Sequence, residues 1–161
     1  MPKKISSGIL LFRVLKNNLE VFLVHPGGPF FKNKDDGAWG IPKGEINSDE
    51  DYLSCALREV KEEIGLTIES KNLIPLDSIT QKGGKVVYAW AYEQNGDFKI
   101  NTSGSIVEMQ WPPVVGKKIK FPEVDEAKFF SVHEAKRKIK AAQIPLIERL
   151  EMHLKEIDKL K

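Results

Sequence analysis

Apolar and polar positions along the chain fall into two rhythms, and the places where they change predict the elements. ISSGILLFRVL and LEVFLVHP are apolar, β-branched runs separated by Lys16-Asn17-Asn18, which predicts a hairpin of two strands. PGGPFFKNKDDG follows, a turn-rich segment expected to be irregular and long enough for a binding loop. Ala38 to Lys43 reads as a short strand. The period then switches: Leu53, Ala56, Leu57, Val60 and Ile64 recur at the three-and-four spacing of one buried helix face. Asn47, Ser48 and Asp49 offer N-cap chemistry, Glu50 and Asp51 would occupy the first turn, and Gly65 supplies a left-handed stop.

Beyond that helix, LTIESKNLIPLDSIT reads as a strand broken at Pro75, and KVVYAWAYEQ as a strong strand after Gly83-Gly84. Residues 95 to 122 combine a Gly/Asn/Ser cluster with Trp111-Pro112-Pro113 and Gly116-Lys117-Lys118-Ile119-Lys120, and their pattern assigns no element. AKFFSV suggests a last short strand, followed by helix from about Val132 to Lys140. Pro145 opens an amphipathic helix with Leu146, Leu150, Leu154 and Ile157 on one stripe. No repeat or linker divides the chain, so residues 1–161 are expected to form one domain. Its order of strands, helix, strands, helix predicts an α+β fold with a mixed sheet and flanking helices.

Composition narrows the function classes. The 161 residues are 41% hydrophobic and 30% charged, and the net charge is only +2, so no electrostatic argument for nucleic acid or a membrane surface arises. The single cysteine, Cys55, excludes an intrachain disulfide and fits a reducing compartment; inside the helix it reads as a small filler. Lys3 and Lys4 precede an apolar run that faintly imitates a leader, but Arg13 interrupts it and no small-residue cleavage site follows. No window has the apolar length of a membrane span, and a cytoplasmic location is expected.

The helix carries the chemistry. At about 100° per residue, Glu59 and Glu63 lie nearly in line beside the apolar face, with Glu62 within roughly another 100°. Like charges at i,i+4 cost a few tenths of a kcal/mol unless neutralised, and a hard cation with oxygen ligands, Mg²⁺ or Mn²⁺, would neutralise them. The surrounding stretch adds a strict spacing: Gly44, Glu50, Arg58, Glu59, Val60, Glu62, Glu63, Gly65 and Leu66. It resembles the Nudix box at every position, and average residue frequencies put a chance match on the order of 10⁻⁷. The Trp-x-x-Pro-Lys-Gly run from Trp39 to Gly44 resembles the same family.

The resemblance implies an α/β/α sandwich around a mixed sheet and a metal-dependent pyrophosphohydrolase. It implies that Glu59, Glu62 and Glu63 ligate metal, that the Gly44 carbonyl joins them, and that Glu50 is accessory. Arg58 holds a glutamate through a bidentate pair. Glu123, six residues before Phe129, takes the place of a loop carboxylate that family members add as outer ligand or general base; Asp125 and Glu126 are its rivals. The base is open between Glu62 and Glu123. Lys43, Lys82 and Lys85 are candidates for phosphate contacts, and Lys117, Lys118 and Lys120 form another basic group. Phe30, Phe31, Tyr88, Trp90 and Trp111 are candidate plates for a nucleobase, and core positions by default. His25, His133 and His153 lack metal-ligand spacing to one another.

The box entry and the opening ISSGILLFR resemble asymmetric diadenosine tetraphosphate hydrolases, although Lys82-Gly83-Gly84 stands where those enzymes carry a tyrosine. The expected substrate is a small nucleotide, a nucleoside triphosphate or a dinucleoside polyphosphate, handled by a monomer or homodimer. Two alternatives accompany it: a catalytically silent nucleotide sensor, and a diphosphoinositol polyphosphate hydrolase suggested by Lys117 to Lys120.

Overall fold

A computed structural model describes residues 4–161. Lys3 and the first residues of the leader-like run lie outside the described part. The two opening runs form the antiparallel pair β1 (Ile5–Leu15) and β2 (Asn18–Pro26), turned at Lys16 and Asn17, both with positive φ. The remaining strands are β3 (Lys43–Glu45), β4 (Ile74–Thr80), β5 (Val86–Glu93), β6 (Ile106–Trp111), β7 (Lys117–Pro122) and β8 (Val124–Ser131). The helices are α1 (Tyr52–Ile64), α2 (Val132–Lys138) and α3 (Ile144–Glu156), with a 3-10 turn at Ala141–Gln143 before the last.

The main sheet runs β4-β5-β1-β2-β8, with β3 paired to β1. It is mixed because β1 and β5 are parallel whereas its other pairs are antiparallel. Central β1 is buried on both faces, which is why its sequence is a continuous apolar run instead of an alternation. Leu10 and Phe12 face one layer with Leu146, Ile147, Leu150 and Leu154 of α3; Ile9 and Leu11 face the other with Ala56, Val60 and Ile64 of α1. The result is the expected α/β/α sandwich.

Several local expectations change. The cap of α1 is Asp51, whose carboxylate accepts the Ser54 amide at 2.7 Å, so the first turn holds no acid and Glu50 lies before the helix. Asn47, Ser48 and Asp49, the expected caps, lie in the connection between β3 and the helix. Trp39 and Gly40 make only isolated bridges, and the strand that enters the box begins at Lys43. Pro75 does not break a strand: it lies within β4 beside a register shift, and the strand starts at Ile74. The helix after β8 stops at Lys138, and Ile157 falls past the end of α3 with 51% of its surface exposed. Residues 95–122, left unassigned by pattern, contain the two-stranded hairpin β6–β7, which stands apart from the main sheet.

Candidate active site

β1 divides its edge between two partners: its end pairs with β2, while Ser6, Ser7 and Gly8 pair with Glu45, Gly44 and Lys43. This lays β3 beside α1. Gly65 at φ 77 closes the helix, and its buried edge includes Glu59 and Glu63, one turn apart and 8% and 4% exposed. A β-carbon on Gly44 would overlap the Glu59 carboxyl, so only glycine lets β3 approach this closely. The Lys43 amide donates to Glu63 Oε2 at 3.1 Å, tying strand to helix at the second carboxylate. Cys55 Sγ makes a weak 3.5 Å contact with the Gly44 carbonyl, and burial pushes this thiol up to about 11, consistent with an inert filler.

Arg58 organises the acids on the outer side. Its Nε and one terminal nitrogen form a fork with Glu50 at 2.7 and 2.9 Å, and its other terminal nitrogen reaches Glu59 at 2.7 Å and Glu62 at 3.2 Å. The fork holds Glu50 down to about 2. Glu62, with 44% of its side chain exposed, is the member of the helix trio open to solvent.

Glu123 arrives from the junction of β7 and β8. Its backbone is fixed on both sides, its amide to the Ser105 carbonyl at 2.9 Å and its carbonyl to the Gly27 amide at 2.9 Å, while the Ser105 hydroxyl donates to its carboxylate. Burial first, and then the charges of Glu123 and Glu59, push Glu63 up to about 9. Burial also raises Glu59, against the pull of Arg58. A cavity of about 170 Å³ beside these acids is lined by Lys43, Glu63, Glu123, Lys140 and Gln143. Burial, and then the charges of Lys85 and Lys140, depress Lys43 to about 8.

Buried carboxyl oxygens under mutual repulsion, with one guanidinium among them, suit a hard divalent cation. Among the described residues no three acidic, histidine or cysteine side chains are yet gathered on one point. Arg58 draws Glu59 and Glu62 toward itself, so closing the set on an ion requires those two carboxylates to turn.

The structure therefore brings together Gly44, Arg58, Glu59, Glu63 and Glu123, with Glu62 alongside, and it brings Lys43 to their edge. Three candidate substrate residues lie elsewhere. Lys82 is exposed in the β4–β5 turn, whereas Lys85 lies near Lys43. Tyr88 is stacked on Tyr52 at 4.1 Å and 9°, so that face is already covered. Trp111 pairs with Lys117 at the far end of the β6–β7 hairpin, about 17 Å along the strand from the end that carries Glu123, at roughly 3.3 Å per residue. The rivals of Glu123 are engaged: Asp125 with His25 at 2.8 Å, and Glu126 with Lys128 at 3.1 Å. Lys140, Gln143 and Ser105 were not anticipated. Each comes from a distant segment and carries no local motif, so only the tertiary arrangement marks it.

Comparison with known proteins agrees with this fold. An African swine fever virus mRNA-decapping protein is 41% identical over 56 residues, which are 34% of this chain and 23% of that protein. Thus the chain matches under a quarter of that relative's length. Among solved structures, the C. elegans Ap4A hydrolase binary complex superposes with a TM-score of 0.68 at 20% identity, over 94% of this chain and 98% of the other. The Nudix domain of Shewanella oneidensis NrtR, complexed with ADP ribose, gives 0.66 at 18% identity, over 96% and 90%. At such identities these likenesses concern the fold. The family model described as the NUDIX domain matches residues 4–150, and with the complete box at 44–66 this means that the chain belongs to the Nudix hydrolase family.

Proposed function

We propose that this Nudix hydrolase cleaves a phosphoanhydride bond of a nucleoside triphosphate or dinucleoside polyphosphate with the help of Mg²⁺ or Mn²⁺, residues 1–161 acting as one domain. The observation that carries the reading is the box helix itself, on which Glu59 and Glu63 lie buried one turn apart with Gly44 packed against the Glu59 carboxyl. In this reading Glu59, Glu62, Glu63, Glu123 and the Gly44 carbonyl hold the metal. When bound, the metal would neutralise phosphate oxygens and acidify the attacking water.

The chain's own groups do the rest. Arg58 aligns the carboxylates of Glu50, Glu59 and Glu62 through its hydrogen bonds to them. Lys43, Lys85 and Lys140 form the basic edge that receives phosphate oxygens. Of the two candidates for general base, Glu123 has an oxygen engaged by the Ser105 hydroxyl, whereas Glu62, although Arg58 contacts its oxygens at 3.2 and 3.3 Å, keeps 44% of its side chain open to solvent. We assign proton acceptance to Glu62 and metal holding to Glu123.

Phosphate release from a panel of nucleoside triphosphates and dinucleoside polyphosphates in Mg²⁺ buffer tests the reading, with products identified by chromatography. Glu62→Gln should lower turnover at least 100-fold and leave the unfolding midpoint within a few degrees. Tight nucleotide binding without turnover by the native protein would instead favour a sensor.

A further inference from the structure

A second cavity, of about 350 Å³, opens between the loop after β2 and the β6–β7 hairpin. Its walls are Phe30 and Phe31 from the loop and Val107, Met109 and Phe121 from the hairpin, with Glu123 at its edge. Pro26 and Glu123 line both this cavity and the carboxylate-edged one, so the two adjoin at these residues. The walls are fixed by close approach. A side chain on Gly27 would strike the Pro122 carbonyl, and one on Gly28, at φ +95, would strike the Phe121 ring. Large apolar side chains nevertheless remain open to solvent here: Phe30 is 52% exposed and Met109 36%. Phe30 and Phe31 meet edge to face at 4.8 Å, and Lys34 covers Phe30 at 3.5 Å, which leaves the hairpin side of the slot for an occupant.

We propose that this slot holds the nucleobase of the substrate by stacking and apolar contact, and that it reads no base edge, so the enzyme is permissive of base identity. This deepens the function proposed above and rests on it. The volume lies at the low end for small-molecule pockets and suits one base with its sugar. The phosphates of a nucleotide seated here pass Glu123 toward the other carboxylates and the lysine edge. Discrimination among bases requires donors and acceptors placed at their edges. Apart from the weakly accepting sulfur of Met109, the wall side chains are hydrocarbon, and Glu123 is the one charged residue of the lining. An aromatic wall accepts any π-face.

The test compares ATP, GTP, CTP and UTP with inorganic tripolyphosphate and geranyl diphosphate, using native protein, Met109→Ala and Phe121→Ala. Met109 is partly exposed on a hairpin, so its truncation spares the core even if Phe121→Ala unfolds. The four nucleotides should have kcat/KM within about tenfold of one another. Stacking should place them about 5- to 100-fold above tripolyphosphate. Both substitutions should raise nucleotide KM and narrow that gap. Base discrimination beyond 100-fold, preference for geranyl diphosphate, or a gap that neither substitution changes would overturn the proposal. Should none of these compounds be cleaved, the nucleoside triphosphate half of the proposed activity falls, and calorimetry with ADP still decides the slot: affinity at least fivefold weaker in Met109→Ala supports it, and unchanged affinity refutes it.

Discussion

Glu63→Gln should inactivate the enzyme and at the same time make the metal-free protein more stable. Glu63 is 4% exposed, and burial together with Glu123 and Glu59 moves it from an ordinary 4.5 up to about 9. The unfolded chain releases this proton near 4.5, whereas the folded chain keeps it until about 9. Between those values the unfolded state binds fewer protons, so stability falls as pH rises. At about 1.4 kcal/mol per pH unit, the penalty at pH 7 reaches roughly 3 kcal/mol. Glutamine has no proton to lose. It can still accept the Lys43 amide, and its own amide can donate to a neighbouring carboxylate where Glu63 was repelled.

In chelator the variant should therefore match the native protein near pH 5 and exceed it at pH 8 by about 1–3 kcal/mol, as neighbouring groups relax. For a chain of this size that corresponds to roughly 3–10 °C in Tm. Thermal and urea unfolding from pH 5 to 8.5, with chelator and then with saturating Mg²⁺, measures both halves. Native protein should gain stability from Mg²⁺, and the variant should gain much less. A variant less stable than native at pH 8 in chelator, or one with an equal gain from Mg²⁺, would refute the reasoning. The sign is diagnostic, because most changes at buried positions destabilise.

Gly44→Ala places a methyl group where the Glu59 carboxyl lies, so turnover and Mn²⁺ affinity should each fall at least tenfold while the far-UV circular dichroism stays native; unchanged Mn²⁺ affinity by calorimetry would contradict the close approach. Arg58→Lys keeps the charge but loses the fork on Glu50, and should cost about 1–2 kcal/mol at pH 7 by urea unfolding. Because the fork holds Glu50 at about 2, its contribution is present above the ordinary carboxyl value and lost as pH falls through about 2. The native stability profile should therefore slope across that acid window, and that of Arg58→Lys should be flatter.

The chain displays its box carboxylates openly and hides the residues around them, and the reason is physical. Glu59, Glu62 and Glu63 share one helix, so helical geometry relates them to one another before any tertiary contact forms. Gly44 is close enough in sequence for a single turn to return it to that helix. The central strands are equally legible, since burial on both faces of β1 leaves an unbroken apolar run. The hairpin is different. β6 and β7 are largely exposed on both faces, with Val107, Ile119 and Phe121 only partly covered, and the Gly/Asn/Ser cluster before them and Trp111-Pro112-Pro113 between them resemble a loop. Its apolar side chains have too few neighbours within the fold to reveal their purpose.

That very incompleteness bears on how the site works. A strand buried in a core satisfies its apolar side chains with others of the same chain, whereas Phe30 and Met109 remain substantially exposed beside a catalytic carboxylate candidate. Glu123 joins the two regions: its carboxylate turns toward the helix acids, and its backbone spans Ser105 and Gly27, which anchor the hairpin and the loop. A ligand that draws loop and hairpin together would therefore pull on the same short segment that delivers Glu123 to Glu59 and Glu63. Under the proposed reading such a pull couples base binding to assembly of the metal set, so weakening the slot should raise KM for nucleotides and also lower apparent Mg²⁺ affinity in their presence. Metal titrations of Met109→Ala with ATP and with tripolyphosphate would expose that coupling, because independent sites predict the same Mg²⁺ dependence in native protein and variant for both compounds.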